Sequence, residues 1–112
     1  MAALNLIEDR GDWGTYKLAV LEAVVVGLVG EVFPKLRRVD MLLDVEKVEL
    51  VFFHDGELSE GDAESISCVQ TEVECVLRDE IEVVVRSVRA DFPGPVSVGF
   101  MGTTVFGLRE EY

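Results

Sequence analysis

The chain has 112 residues, 49% of them hydrophobic, with 22 Asp and Glu against 10 Lys and Arg for a formal net charge of −12. That length makes one domain, residues 1–112, able to bury a core of its own. The negative field excludes direct binding of a phosphate backbone and would draw in a basic protein, most strongly at low salt.

The opening MAALNLIEDRGDW has no basic stretch ahead of an apolar run and meets acids early. It does not read as a signal peptide, and the cytoplasm is the expected compartment. The segment LAVLEAVVVGLVGEVF, residues 18–33, is shorter than a bilayer requires and carries Glu22 and Glu31, so it reads as a buried helix rather than a membrane span. On helical spacing Leu18, Leu21, Val25, Leu28, Val29 and Val32 share one face, expected to pack on a sheet. Ala19, Ala23, Gly27 and Gly30 fall on or near the other, where another backbone can approach closely, either within the chain or from a second copy. Pro34 is expected to end the helix.

From Arg37 the period shortens. Val39, Met41 and Leu43 alternate with Arg38 and Asp40 in a first strand, a polar turn covers Asp44 to Lys47, and VELVFFH forms a second strand antiparallel to the first. Asp55-Gly56 supplies turn chemistry. From Ser59 the residues Ala63, Ile66, Val69, Val73, Val76 and Leu77 return to helical spacing, and the helix runs to about Arg78. IEVVVRSVRA, residues 81–90, is a third strand with Ile81, Val83, Val85 and Ser87 on one side. FPGP breaks it, and the tail VSVGFMGTTVFGLREEY holds one or two further short strands. The expected fold is α+β in the order α-β-β-α-β-β, a mainly antiparallel sheet of about four strands with two helices on one face.

The stretch HDGELSEGDAESIS, residues 54–67, concentrates five carboxylates around a turn. A calcium loop needs glycine at its sixth position and glutamate at its twelfth, but counting from Asp55 those positions hold Glu60 and Ile66. Capping accounts for part of the charge: Ser59 followed three residues later by Asp62 approximates a capping box, and Glu60 and Asp62 lie where the helix dipole favours anions. It does not account for Asp55, Glu57, Glu64, Glu72 and Glu74. A helical wheel places Glu64, Cys68, Glu72 and Cys75 away from the Ile66, Val69, Val73 and Val76 stripe, giving an acidic outer face.

Cys68 and Cys75 are separated by roughly 10 Å of helical rise, too far to bridge, and no zinc-type spacing accompanies them. His54, the single histidine, beside Asp55 at a strand end, reads as a hydrogen-bonded turn residue. GFMG at 99–102 lacks the lysine of a phosphate loop. No catalytic residue, cofactor or metal site is expected.

The segments FPKLRRVDM and VFFHDGELSEGDAESISCVQTEVECVL carry a further signal. Their Asp-Gly-Glu turn followed by Ser-Glu and a helix ending in Thr-Glu-Val falls on Asp55, Gly56, Glu57, Ser59, Glu60, Thr71, Glu72 and Val73. This pattern resembles short acidic bacterial immunity proteins of colicin-type and contact-dependent growth inhibition systems. The resemblance covers the middle third of the chain, and the ADFP that would directly follow the helix appears at Ala90 to Pro93 instead. It implies a protein that binds and neutralises a toxin domain, commonly a nuclease. An acidic face would compete for the basic surface on which a nuclease holds phosphates. The expected anchors are Asp55, Glu57, Glu60, Glu64 and Glu72, with Tyr112 of the polar tail as an aromatic contact. The alternative is a small acidic homodimeric module without a toxin partner, paired through the first helix or a strand edge.

Overall fold

The computed structural model describes residues 13–77, 81–92, 94 and 103–107. Six elements follow one another: α1 (Trp13–Leu28), β1 (Leu36–Leu43), β2 (Lys47–His54), α2 (Glu60–Val76), β3 (Glu82–Arg89) and β4 (Thr103–Gly107). The order α-β-β-α-β-β is the one expected, and among the described residues the tail contributes one strand.

β1 and β2 form the expected antiparallel hairpin, paired from Leu36↔His54 to Leu43↔Val48 with a register shift between Leu36 and Arg38. Its turn is closed by the Asp44 amide donating to the Lys47 carbonyl at 2.8 Å. The Tyr16 hydroxyl, on a fully buried ring, donates to the Asp44 carbonyl at 2.9 Å and ties the start of α1 to this turn.

The sheet, ordered β3-β2-β1-β4, is mixed rather than mainly antiparallel. β3 runs parallel to β2, from Lys47↔Glu82 to His54↔Arg89. The reason is the crossover. α2, 17 residues long, rises about 26 Å, close to the length of an eight-residue strand, and so returns the chain to the end where β2 began. β4 is antiparallel to β1, with a register shift between Val39 and Asp40. There the buried Asp40 carboxylate accepts from Arg38 Nε at 2.7 Å and Thr104 Oγ1 at 2.9 Å, clamping the two strands.

One core joins both helices to one side of the sheet. α1 supplies Tyr16, Val20, Ala23, Val24 and Leu28; α2 supplies Ile66, Val69 and Val73; the strands supply Val39, Met41, Val48, Leu50, Phe52 and Val83. Val51 and Phe53 alternate with these and are buried toward the opposite side.

The orientation of α1 departs from the sequence expectation. Of the six residues expected to face the sheet, Leu28 is buried and Leu21 packs against the core, but Leu18, Val25, Val29 and Val32 are 65%, 47%, 76% and 46% exposed. The small-residue side faces inward, and a Cβ on Gly27 would lie 3.4 Å from the Val69 carbonyl oxygen and from Val73 Cγ2 of α2. The close backbone approach foreseen for that stripe is therefore intramolecular. A helix apolar on nearly all sides gives periodicity little to act on, so the stripe that admits the neighbouring helix decides. The end of α1 also differs: it stops at Leu28, before Pro34, at a turn in which Gly30 has φ +82° and the Glu31 amide donates to the Leu28 carbonyl.

Candidate functional site

The acidic stretch is a built turn leading into a capped helix. Ser59, in extended backbone, accepts from the Asp62 amide at 3.0 Å, and the Asp62 carboxylate accepts from the Ser59 amide at 3.2 Å. The capping box read from Ser59 and Asp62 is complete. Glu60 and Asp62 stand in the first turn, where unsatisfied amides favour negative charge.

The turn before it is braced from three directions. The Asp55 amide donates to the Lys35 carbonyl, and Lys35 Nζ donates to the Glu57 carbonyl at 2.9 Å. Asp55 and Asp91 exchange bonds across the gap after β3: Asp55 Oδ1 accepts from the Phe92 amide at 3.1 Å, and Asp91 Oδ1 accepts from the Gly56 amide at 2.8 Å. Asp91 also accepts from Arg89 Nε at 2.9 Å. The Arg89 hydrogen bond, with that of the Gly56 amide, holds the Asp91 carboxyl below the usual carboxylate range, and its partner Asp91 holds the Arg89 guanidinium above its own. Gly56, at φ +68°, lets the chain reverse here.

His54 is buried, and its Nδ1 lies 2.8 Å from the Gly56 carbonyl, so that nitrogen carries the proton and the ring helps shape the turn. Arg37, equally buried, donates from Nη1 to the carbonyls of Ala90 and Gly94 at 2.8 Å each, 5.5 Å from the centre of the Phe92 ring. Ala90 and Gly94 are thus held by Arg37 of β1, and Asp91 and Phe92 by the acidic turn.

Of the expected anchors, Glu57, Glu60, Glu64 and Glu72 are exposed, whereas Asp55 is half-buried and occupied in the brace. Tyr112 lies outside the described residues, as do Arg109, Glu110, Glu111 and the GFMG stretch. Glu64 and Glu72 gather near Cys68 at the seam between the helices, together with Glu31 from just beyond α1. Desolvation first, then these three carboxylates, pushes the Cys68 thiol above its ordinary pKa, which disfavours the thiolate. Cys75 is exposed, and both cysteines are free thiols. Among the described residues no cluster of His, Cys, Asp and Glu could hold a metal ion, and no helix is long and apolar enough to cross a membrane.

A model of the MafI2 immunity protein family matches residues 17–110, from the first turn of α1 to beyond β4. The chain belongs to the MafI2 immunity protein family. The immunity role implied by the Asp55–Val73 pattern thereby extends from the middle third to nearly the whole chain, and membership implies a cognate toxin as partner. Among curated proteins, no match to the chain was found.

For an immunity protein the relevant chemistry is that of a surface. Sequence reasoning found the acids on the outer side of α2 but missed two features. The first is Asp91, whose place after a strand and beside Pro93-Gly94 marks it as a turn residue without showing that it braces Gly56. The second is the outward strip of α1, because a face rich in Leu and Val was assigned to the core.

Proposed function

We propose that this immunity protein neutralises a basic toxin domain, a nuclease by class, by laying its acidic turn and the outer face of α2 over the toxin's phosphate-binding surface. The observation that carries the proposal is the presentation of Glu57, Glu60, Glu64 and Glu72 as exposed carboxylates on a capped helix and a turn braced by Lys35, Asp55 and Asp91. Rigid placement matters because ordering a flexible loop on binding costs affinity. Asp55 acts chiefly through that placement, and Tyr112 is assigned an aromatic contact at the rim of the interface. The protein acts by binding, in the cytoplasm of the cell it protects, without catalysis, cofactor or direct contact with nucleic acid.

The test uses the cognate toxin domain. Replacing all four glutamates by Lys should slow association by about tenfold or more at low salt and weaken protection of cells, while leaving the melting temperature nearly unchanged. Raised salt should slow the wild type far more than the variant. Full protection by the fourfold variant at equal expression would remove these acids from the interface.

A further inference from the structure

The outer surface of the helical layer has a second component besides acid. Leu18 and Val25 lie seven residues apart on the outward side of α1, and Val29 follows in the turn directly after Leu28, each about half to three-quarters exposed. Val32, 46% exposed, lies just beyond the end of the helix, and Val26, 55% exposed, flanks the strip. A row of large apolar side chains along a helix and the turn after it, each about half exposed or more, is a recognition surface in form. Single exposed apolar residues would need no explanation, but one leucine and four valines in one segment do.

Charge identifies what covers it. Glu22 is exposed on the same outward side, and Glu31 sits beside Val32 at the C-terminal end. Glu31 is also one of the three carboxylates around Cys68, with Glu64 and Glu72 of α2. At the helix seam a Cβ on Gly27 of α1 would lie 3.5 Å from Glu72 Cβ, so the acidic face of α2 borders α1 directly and continues toward the apolar strip as one surface. An apolar centre with a charged rim is the usual anatomy of a specific protein interface. A second copy of this chain, itself carrying −12, would bring acid against acid around such a centre, whereas a cationic partner would not.

We infer that the outward strip of α1, centred on Val25 and Val29, is the apolar core of the toxin-binding surface, and that it seats an apolar patch bordered by Lys or Arg on the toxin. This rests on the proposed toxin-binding role of the α2 acids and divides the work between the two parts. The acids govern how fast the partners meet, and the valines govern how slowly they separate.

The experiment measures association and dissociation rates of the immunity protein with the same toxin domain for wild type, for Val25→Gln with Val29→Gln, for Leu18→Gln, and for the fourfold Glu→Lys variant. The Gln pair should raise the dissociation rate by about tenfold or more and leave the association rate within about twofold, while Leu18→Gln should show the same pattern more weakly. Wild-type dissociation by the Gln variants, with the Glu→Lys variant still slow to associate, would overturn this inference and leave the acidic interface standing. Failure of the wild-type protein to bind would overturn both. Sedimentation of the protein alone as a dimer that the Gln pair dissociates would assign the strip to a second copy. A fall of several degrees in the melting temperature of the Gln pair would mean that the chain itself covers the strip, and either result would sink the inference.

Discussion

The two helices share one core and teach opposite lessons about how a sequence states its orientation. α2 mixes Ile66, Val69 and Val73 with Glu64, Glu72 and Glu74, and the side turned inward is the apolar one. α1 has almost no polar residues to separate its sides, and it buries small and large residues together, Ala23 and Gly27 beside Tyr16, Val20, Val24 and Leu28. Ala23 and Gly27 face the neighbouring helix while Leu18, Val25 and Val29 face outward. Where hydrophobicity does not discriminate between faces, the face that permits the closest packing wins, because dispersion contacts and buried area both increase as the two backbones approach. The side left over is apolar by default, and in an immunity protein that remainder is available for a partner.

The sharpest way to break this comparison is to put the same charge on both sides of α1. Val24 is fully buried in the core, and Val24→Asp should cost about 4 kcal/mol or more, since the carboxylate must be buried without a partner or ionise at the expense of the core. That is a large part of the roughly 5–15 kcal/mol that keeps a domain folded. Val29→Asp, on the outward side, should change stability by no more than about 0.5 kcal/mol. Urea unfolding of the two variants decides between the orientations. Equal losses would mean that the strip is not at the surface, and the reverse ranking would restore the orientation expected from Leu18, Val25 and Val29.

Much of the remaining fold was legible, and the failures have physical reasons. The hairpin could be read because Asp44 to Lys47 breaks the pattern between two segments of strand composition. The start of α2 could be read because Ser59 and Asp62 act over three residues. The direction of β3 could not, because Ile81, Val83 and Val85 suit a parallel or an antiparallel neighbour equally well. It follows from which strand lies beside it, and β2 lies beside it because α2 crosses over the sheet between them. For the candidate site, exposure of Glu57, Glu60, Glu64 and Glu72 followed from the wheel and the turn. The brace between Asp55 and Asp91 joins residues 36 apart in sequence, which no local pattern encodes.

A smaller effect sharpens the comparison from the side of α2, the helix whose start is locally written. Ser59→Ala removes the acceptor for the Asp62 amide and leaves the Asp62 carboxylate with half of the reciprocal pair, so it should cost about 1 kcal/mol. Toxin affinity should change little, since Ser59 positions the helix rather than meeting the partner. Thermal unfolding checks the first statement and a binding titration the second. An unchanged melting temperature would mean that tertiary packing of Ile66, Val69 and Val73 holds the helix start without its cap, making α2 as dependent on packing as α1.

The smallest effect concerns the exposed brace and is best seen as a dependence on pH. Folding lowers the Asp91 pKa, chiefly through the hydrogen bond from Arg89 and secondarily through that from the Gly56 amide, so the folded protein favours the ionised carboxylate more than the unfolded chain does. The sign follows: the contribution is present above the unfolded carboxylate pKa of about 3.9 and fades as pH falls through the lower folded value. Asp91→Asn keeps an oxygen for the Gly56 amide but removes the charge. The variant should therefore be slightly less stable than wild type at pH 7, with the gap closing below about pH 4, as comparison of urea midpoints at pH 7 and pH 3 will show. A gap of the same size at both values would mean that Asp91 acts through shape alone. In that case the turn before α2 would owe its position to Asp55 and Lys35, and the ion pair with Arg89 would contribute nothing beyond a surface contact in water.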